Sequence, residues 1–373
     1  MKFPFLRLIA IASLTTATSR AAEPTALEQY MLEIINRARA DGNAEARMFG
    51  LSSVNDGSPS IFGEPWTIES VAAPLVWNEQ LSASARGQAQ ALFTAGFMSG
   101  DPHTFGGTSP EQRIAAAGFV TCLTCPKTHT VSGFTPGVEN FGFAGRTSPY
   151  TAAQLQAEIP AIHRLLFADG TTPGRLHRNT LMNGWFREVG LGLVSGTIGG
   201  QGRVYLMMDF DKAEPGTQLF LTGVVYNDTT TADQFYTPGE GLGGLKVQAW
   251  QSGIKIAETT TWASGGYRLP LAAGAWQIKL VNTAGSVSEM GIVTLVSENV
   301  KLDSRTPVFT APPPPVNLRL TQSGSAAVLL QWEDPSYALF SSDSLAGPWT
   351  AVGIPSPASI TIQPGRRFFR CQK

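Results

Sequence analysis

The sequence predicts a mixed α+β chain that turns all-β towards its C-terminus. Three observations predict it. Apolar residues recur at helical spacing between recognisable caps in four segments before Ala168. From Pro215-Gly216 onward the pattern changes to short alternating runs punctuated by Gly, Asn, Asp and Ser, as antiparallel strands require. Gly (39) and Pro (25) are abundant, which suits loop-rich, β-rich architecture more than a helical bundle. At 373 residues the chain exceeds one ordinary domain. It divides into a signal peptide (1–21), an α/β unit (22–212), an Ig-like β-sandwich (217–303), a proline-rich linker (304–315) and a small β module (316–373).

The elements follow in order. Lys2 and Arg7 precede the apolar run Leu8 to Leu14, and Ser19-Arg20-Ala21 offers small residues at −3 and −1, so cleavage before Ala22 is expected. Thr25-Ala-Leu-Glu28 is a capping box opening a helix of Leu27, Tyr30, Met31, Ile34, Ile35 and Ala38, which Gly42 ends. An irregular stretch from Asn43 to Ala73 follows. Asn78 caps a second helix through Leu81, Ala85, Ala89 and Leu92, closed by Gly96. Ser109-Pro110 and Gly118 bracket a third. A fourth spans Thr151 to Phe167, with Pro160 expected to kink it or delay its start. Val189 to Val194 and Val204 to Phe210 read as strands. Six strand candidates fill Leu219 to Val296, Pro312 to Pro315 is a stiff extended run, and five more strand candidates lie between Ala327 and Arg370.

Bulk numbers exclude some partners. Net charge is −1 and only 15% of residues are charged, so neither nucleic acid nor an anionic membrane is the expected partner. No run after residue 21 is long and apolar enough to span a bilayer. The expected location is therefore secreted, periplasmic or at the cell surface. Cys122-Leu-Thr-Cys125 reads first as a local disulfide in an exported chain, with a redox pair, or half a zinc site completed by His129, as the other readings; Cys371 is left unpaired.

The chemistry centres on scarce histidines. His177 has Glu188 eleven positions on; Gly-Val-Glu-Asn supplies Glu139, and Asp-Pro-His-Thr supplies His103. The Gly, Asp and Asn around them mark His103, Glu139 and His177 as loop residues. His163, between Ile162 and Leu166 on a helix face, reads as packing.

In order, the segments Ile-Ile-Asn-Arg-Ala-Arg-Ala, Pro-Leu-Val-Trp-Asn-Glu-Gln-Leu, His103 before Thr-Ser-Pro-Glu-Gln-Arg-Ile-Ala-Ala-Ala-Gly, Val-Glu-Asn, His177 and Glu-Val-Gly-Leu-Gly resemble the CAP superfamily (cysteine-rich secretory, antigen 5, pathogenesis-related) in its bacterial SCP-domain form, over residues 26–210. The resemblance implies an α-β-α sandwich with an open cleft. His103, His177 and Glu139 would line it and hold zinc or another divalent cation, with Glu188 nearby. It also implies a second cleft acid after a tryptophan, a pattern this chain departs from: only Glu158 and Asp169 lie near. Thr-Gly-Val-Val-Tyr-Asn-Asp and Tyr-Thr-Pro-Gly-Glu-Gly-Leu-Gly-Gly-Leu-Lys-Val resemble carboxypeptidase-regulatory-like or adhesin B-repeat modules. In calcium-binding relatives Asp228, Asp233 and Glu240 would be the carboxylates, beside the reading of a solvated hairpin loop.

The functional expectation is a secreted protein whose cleft binds a metal, a lipid, a protein or a polysaccharide. The alternatives are a metal-dependent hydrolase with Glu139 as general base, for which no Gly-x-Ser-x-Gly or His-Glu-x-x-His motif is present, and a non-catalytic adhesive or structural surface protein.

Overall fold

A computed structural model describes residues 23–57, 60–61, 64–65, 67–125, 138–170, 172–311, 318–323, 326–345 and 347–372. The expected signal peptide, His129 and the proline run lie outside the described residues. The described chain is mixed α and β with a β-rich majority, and it divides into two compact units, Met1–Thr310 and Ala311–Lys373.

The helices start where the caps place them. In α1 (Ala26–Ala40) the Thr25 hydroxyl accepts from Glu28 N and the Glu28 carboxylate accepts from Thr25 N. Asp41 then opens α2 (Gly42–Met48), accepting from Ala44 N at 2.8 Å. The sequence reads this stretch as irregular because an Asp just after a helix end resembles a stop as much as a start. A short hairpin, β1 (Ser60–Ile61) and β2 (Glu64–Pro65), and β3 (Val76–Trp77) lead to α3 (Glu79–Ala95), capped by Asn78 and closed by Gly96 at φ 61. After α4 (Pro110–Ala116) comes β4 (Glu139–Arg146), and then α5 (Ala152–Ala168) runs through Pro160 without ending. Its buried stripe of Ile159, Ile162, Leu166 and Phe167 keeps the helical register on both sides of the proline. A 3-10 turn (Pro173–Arg175) leads into α6 (Leu176–Met182), and β5 (Glu188–Ile198) and β6 (Gln201–Asp211) form a long hairpin.

Strands β3, β5, β6 and β4 make one sheet in that order, with β3 parallel to β5 and the other pairs antiparallel. Alternation sends Met207 and Tyr205 to one face, where they pack with Ala85, Ala89 and Leu92 of α3. Leu191, Val204, Leu206 and Met208 point the other way and join a core with Ile34 and Ile35 of α1 and Ile159 and Ile162 of α5. Burying one such side chain fully contributes about 1.5–3 kcal/mol. Helices thus cover both faces of this sheet. The Gly-x-Gly of β5 makes that possible on the α3 side: a Cβ at Gly190 or Gly192 would collide with the backbone of Leu81, Ser82, Ala85 and Arg86.

The same unit continues into two further sheets. β7 (Leu219–Tyr226), β8 (Lys246–Gln251), β9 (Ile254–Thr260), β10 (Gly266–Leu271), β11 (Gly274–Val281) and β12 (Val287–Leu295) lie within a few residues of the expected runs. β13 (Val300–Lys301) and β14 (Ser304–Arg305) add parallel to β7. They are too short to show a period in the sequence. One sheet runs β12-β11-β8-β9; in the other β7 lies between β10 and β13 and also pairs with β14. Their facing side chains, among them Val247, Ile278, Leu269 and Trp276, form a separate core. Polar and charged contacts tie these sheets to the helical part. Lys301 Nζ meets Glu33 of α1 at 2.8 Å, Arg268 donates to Trp77 O at 3.1 Å, and Asn299 donates to Pro74 O and Arg187 O at 3.1 and 2.9 Å. Burial pushes the Glu33 carboxyl up, against the pull of Lys301.

The second unit holds β15 (Arg319–Gln322), β16 (Ala327–Gln331), β17 (Ala338–Ser342), β18 (Thr350–Ala351), β19 (Ala358–Thr361) and β20 (Phe368–Gln372) in two three-stranded sheets around Leu330, Trp332, Tyr337 and Leu339.

Candidate functional site

His103 and His177 line one cavity of about 230 Å³, with Val138, Glu139, Asn140 and Leu176 among its walls. Each imidazole reaches it from a different element and each is held from behind by a buried carboxylate.

His103 sits in the loop between α3 and α4. Its backbone N donates to Asp101 Oδ1 at 2.9 Å, and Gln88 of α3 holds the loop by donating to Pro102 O and Phe105 O. Its Nδ1 faces Glu139 Oε1 at 2.8 Å, and Arg113 of α4 donates to the other oxygen of Glu139 at 2.5 Å and to His103 O at 2.8 Å. Both oxygens of Glu139 are therefore engaged. Glu139 does not stand in a loop, as the sequence suggests, but opens β4, with its side chain 1% exposed. Directly across the sheet stands Asp209 of β6, fully buried beside Glu139 and Ser84, and among the described residues neither of its oxygens makes a hydrogen bond of ordinary geometry. Burial first, and then the neighbouring Glu139, push the Asp209 carboxyl well above the usual range.

His177 stands in the first turn of α6, not in a loop. Asp169 ends α5 in the left-handed region, φ 48, which turns its side chain towards α6. Its Oδ1 meets His177 Nδ1 at 2.9 Å and its Oδ2 accepts from His177 N at 2.9 Å. Burial alone would raise the Asp169 carboxyl; hydrogen bonds from His177, Thr172 and the Arg178 backbone outweigh it and hold it below its ordinary value. An ionised carboxylate only accepts, so Nδ1 carries the proton and the neutral ring presents the Nε2 lone pair. Asn140 Nδ2 donates to His177 O at 3.1 Å, fixing α6 to β4. Among the described residues neither Nε2 has a hydrogen-bond partner, while the two rings are 32% and 30% exposed.

Other expected site residues do not join this cavity. Glu188 opens β5, accepts from Asn78 Nδ2 at 2.8 Å and lies 3.7 Å from Arg268; it serves the α3 cap and the contact with β10. Glu158 accepts from Tyr150 OH at 3.3 Å. His163 is buried with Nε2 at 3.0 Å from Glu45, as its helix face implies. Glu240 accepts backbone N–H donors from Thr229, Thr230, Thr231 and Thr237, and Asp228 accepts from Asp233 N, Gln234 N and Arg305. Asp233 accepts from Phe235 N. These carboxylates shape their own loop. No group of three or more His, Cys, Asp or Glu among the described residues is placed to hold a metal ion. Cys122 and Cys125 are disulfide-bonded and Cys371 is free. Reading the sequence missed Arg113 and Asp209 altogether. The Arg in the first turns after Ser109-Pro110 and the lone Asp in the apolar strand Tyr-Leu-Met-Met-Asp-Phe were the available signals, since an unpaired charge inside a strand run demands an explanation.

No family model matches the chain, and no curated protein matches it. Similar solved structures are remote. One is a candidate carbohydrate-binding protein from Bacteroides uniformis, 14% identical over 41% of this chain and 78% of that one, at a TM-score of 0.19. Two are DUF3823 family proteins. That from Parabacteroides merdae is 15% identical over 39% and 80%, at 0.18. That from Bacteroides ovatus is 14% identical over 41% and 91%, at 0.16. At this level of superposition the likeness assigns neither fold nor ligand to this chain.

These findings correct the family expectation. The chain is not assigned to the CAP superfamily or its SCP form, nor its β-sandwich to the carboxypeptidase-regulatory-like or adhesin modules: no family model and no curated protein of either kind matches it. The physical reason lies in the motifs, each of which has a local packing task. Asn36 exchanges two hydrogen bonds with the Leu75 backbone, Arg39 serves four backbone carbonyls, Asn78 and Ser109 cap helices, and Gly190 and Gly192 admit α3. Short motifs with such tasks recur wherever helices pack on a sheet.

Proposed function

We propose that this protein is a non-catalytic, exported binding protein whose histidine cavity holds a hydroxyl-bearing extracellular ligand, a saccharide. The observation that carries the reading is the pair of imidazoles fixed through Nδ1 to buried carboxylates, with both Nε2 atoms left for a ligand. Fixed acceptors suit hydroxyl donors, and the apolar walls Val138 and Leu176 suit the C–H faces of a sugar ring. In this reading residues 22–212 are the binding head, a sheet between two helical layers, and the β-sandwich and the C-terminal module carry it. Delivery by the N-terminal segment to the cell surface or beyond belongs to the same proposal. No helix among the described residues is long and apolar enough to cross a membrane.

A divalent ion is a second reading of the cavity, favoured by one observation: a carboxylate behind each ring nitrogen is the arrangement that orients histidine ligands. The chain itself offers two imidazoles for it, since Glu139 is already paired with Arg113 and His103. Zinc sites ordinarily use three or four protein ligands, and two imidazoles fall short of that number.

Isothermal titration of the full exported chain with an oligosaccharide panel and, separately, with zinc tests both. A saccharide that binds wild type and loses at least about tenfold in affinity in His177→Ala supports the first reading. Zinc binding that depends on both histidines, with no saccharide bound, would replace it with the second. Saccharide binding indifferent to His103→Ala and His177→Ala would overturn the assignment of the cavity.

A further inference from the structure

A larger cavity, of about 540 Å³, shares no lining residue with the histidine cavity and opens where the helical part meets the β12–β13 turn. Its polar walls are Arg187, Lys212, Glu69, Glu298 and Asn299, and Trp185 and Val71 supply apolar surface. We propose that it is a second ligand site, for a molecule bearing a carboxylate or sulfate group.

The cations are built in. Arg187 immediately precedes β5; its backbone N donates to Asp211 O at 3.0 Å and its backbone O accepts from Val76 N at 3.1 Å and Asn299 Nδ2 at 2.9 Å. Its position is thus fixed from both sheets at once. Lys212 directly follows β6, on the strand that pairs with β5, so the register brings the two cations together at one sheet end. Like charges held side by side cost free energy unless an anion lies between them. The effect is visible on Lys212: burial first, and then Arg187, lower its pKa. Among the described residues Lys212 Nζ has no acceptor.

Arg187 shows what the cavity accepts. Its guanidinium Nη2 donates to Glu298 Oε1 at 2.8 Å, and Nη1 forms an ion pair with Oε2. A guanidinium presented in this way suits a planar carboxylate and also a sulfate. Glu298 is itself half in solvent, 51% exposed on a turn, whereas Arg187 is 14% exposed. The resident carboxylate can swing out into water; the guanidinium cannot follow it. An incoming oxyanion would take its place on Arg187 and gain Lys212 as well, a contact not seen for Glu298. Glu69 also lines the cavity, and its charge acts on both Arg39 and Arg187, so it is a second internal carboxylate that an incoming anion must compete with. The apolar edge formed by Trp185 and Val71 leaves room for the body of the ligand beside its charged group.

Two sources share this chemistry, a uronic-acid saccharide and a sulfated one or free sulfate. Calorimetric titration of the full chain at low salt with a uronic-acid trisaccharide and with inorganic sulfate separates them, using wild type, Lys212→Gln and Glu298→Gln. At least one ligand should bind wild type. Lys212→Gln should weaken it about tenfold, and Glu298→Gln should tighten it several-fold by removing the internal competitor. His177→Ala should leave sulfate binding unchanged, which keeps its outcome apart from that of the histidine cavity. Lys212 is half-exposed, and an unaltered melting curve for Lys212→Gln shows that the fold is intact. Absence of binding by either ligand, equal binding by Lys212→Gln, or weaker binding by Glu298→Gln overturns the proposal.

Discussion

His163 and His177 have the same immediate chemistry and opposite surroundings. Each meets a buried carboxylate, Glu45 at 3.0 Å and Asp169 at 2.9 Å. His163 lies in mid-α5 under Phe49 and Phe167 and is 0% exposed, whereas His177 stands at the start of α6 and is 30% exposed towards the cavity. Among the described residues His163 Nδ1 has no hydrogen bond, and the ring is closed off from solvent. A carboxylate partner therefore orients an imidazole in both places, but only solvent access turns the second into a site. The titrations follow suit. Burial first lowers the pKa of His163, with Glu45 opposing, and the hydrogen bonds from His163 and Arg37 overcome burial to hold Glu45 at about 2.

Substitution should break the comparison most strongly at the buried member. His163→Ala is expected to cost about 3 kcal/mol, because it leaves a cavity and strips Glu45 of one partner. Urea unfolding measures that loss, and saccharide affinity should stay within twofold of wild type. A mild loss, under about 1 kcal/mol, would mean that His163 and Glu45 relax into water and that the contrast is one of degree.

At the open member the pattern should invert. His177→Ala should lose at least about tenfold in ligand affinity, equivalent to about 1.4 kcal/mol, while its unfolding midpoint moves little. Asp169→Asn should fall between the two: the ring loses its fixed tautomer, and the His177 N–H contact weakens, so affinity drops several-fold with a modest fall in stability.

The pH dependence sharpens the same contrast. With its folded pKa depressed, His163 resists the proton that the unfolded chain takes up below about 6.5. Stability should then fall as pH drops from about 6.5, and that component should be missing from His163→Ala. Glu45, depressed to about 2, adds stability that is complete above its unfolded value and is lost only as pH falls towards 2. Equal slopes for wild type and His163→Ala between pH 6.5 and pH 5 would place the titration elsewhere.

At Asp209 the effect has the opposite sign. Its raised folded pKa works in the other direction: the unfolded carboxyl ionises first, so its contribution turns unfavourable as pH rises above about 4. Asp209→Asn should be about as stable as wild type at pH 4 and more stable at pH 7, the gap widening as pH rises. Clear destabilisation at pH 7 would show that the neutral acid donates a hydrogen bond that the amide cannot replace.

Much of the secondary structure was legible because its determinants are local. Thr25 with Glu28, Asn78 before α3, and Ser109-Pro110 before α4 act within one turn of chain, and the strand runs of β5 to β12 carry their own alternation. Where signals were double or too short the reading went astray. Asp41 both ends α1 and begins α2, and the two-residue β13 and β14 have no measurable period. Glu139 and His177 were taken for loop residues because the Gly and Asn beside them are turn formers, yet one begins a strand and the other lies in a helix.

The sequence by itself determined the α+β character, most helix starts, the local disulfide and the two histidines worth watching, since each depends on residues within a few positions of one another. Only the tertiary structure decided their partners. Glu139 lies thirty-six positions from His103, Glu45 lies 118 from His163, and Asp209 is set opposite Glu139 by strand register. No local rule reaches across such separations, because the pairing is chosen by which faces of α3, α5 and β4–β6 can be buried together. The same choice brought Arg187 and Lys212 to one end of a sheet and closed His163 away from water while leaving His177 at the cavity wall.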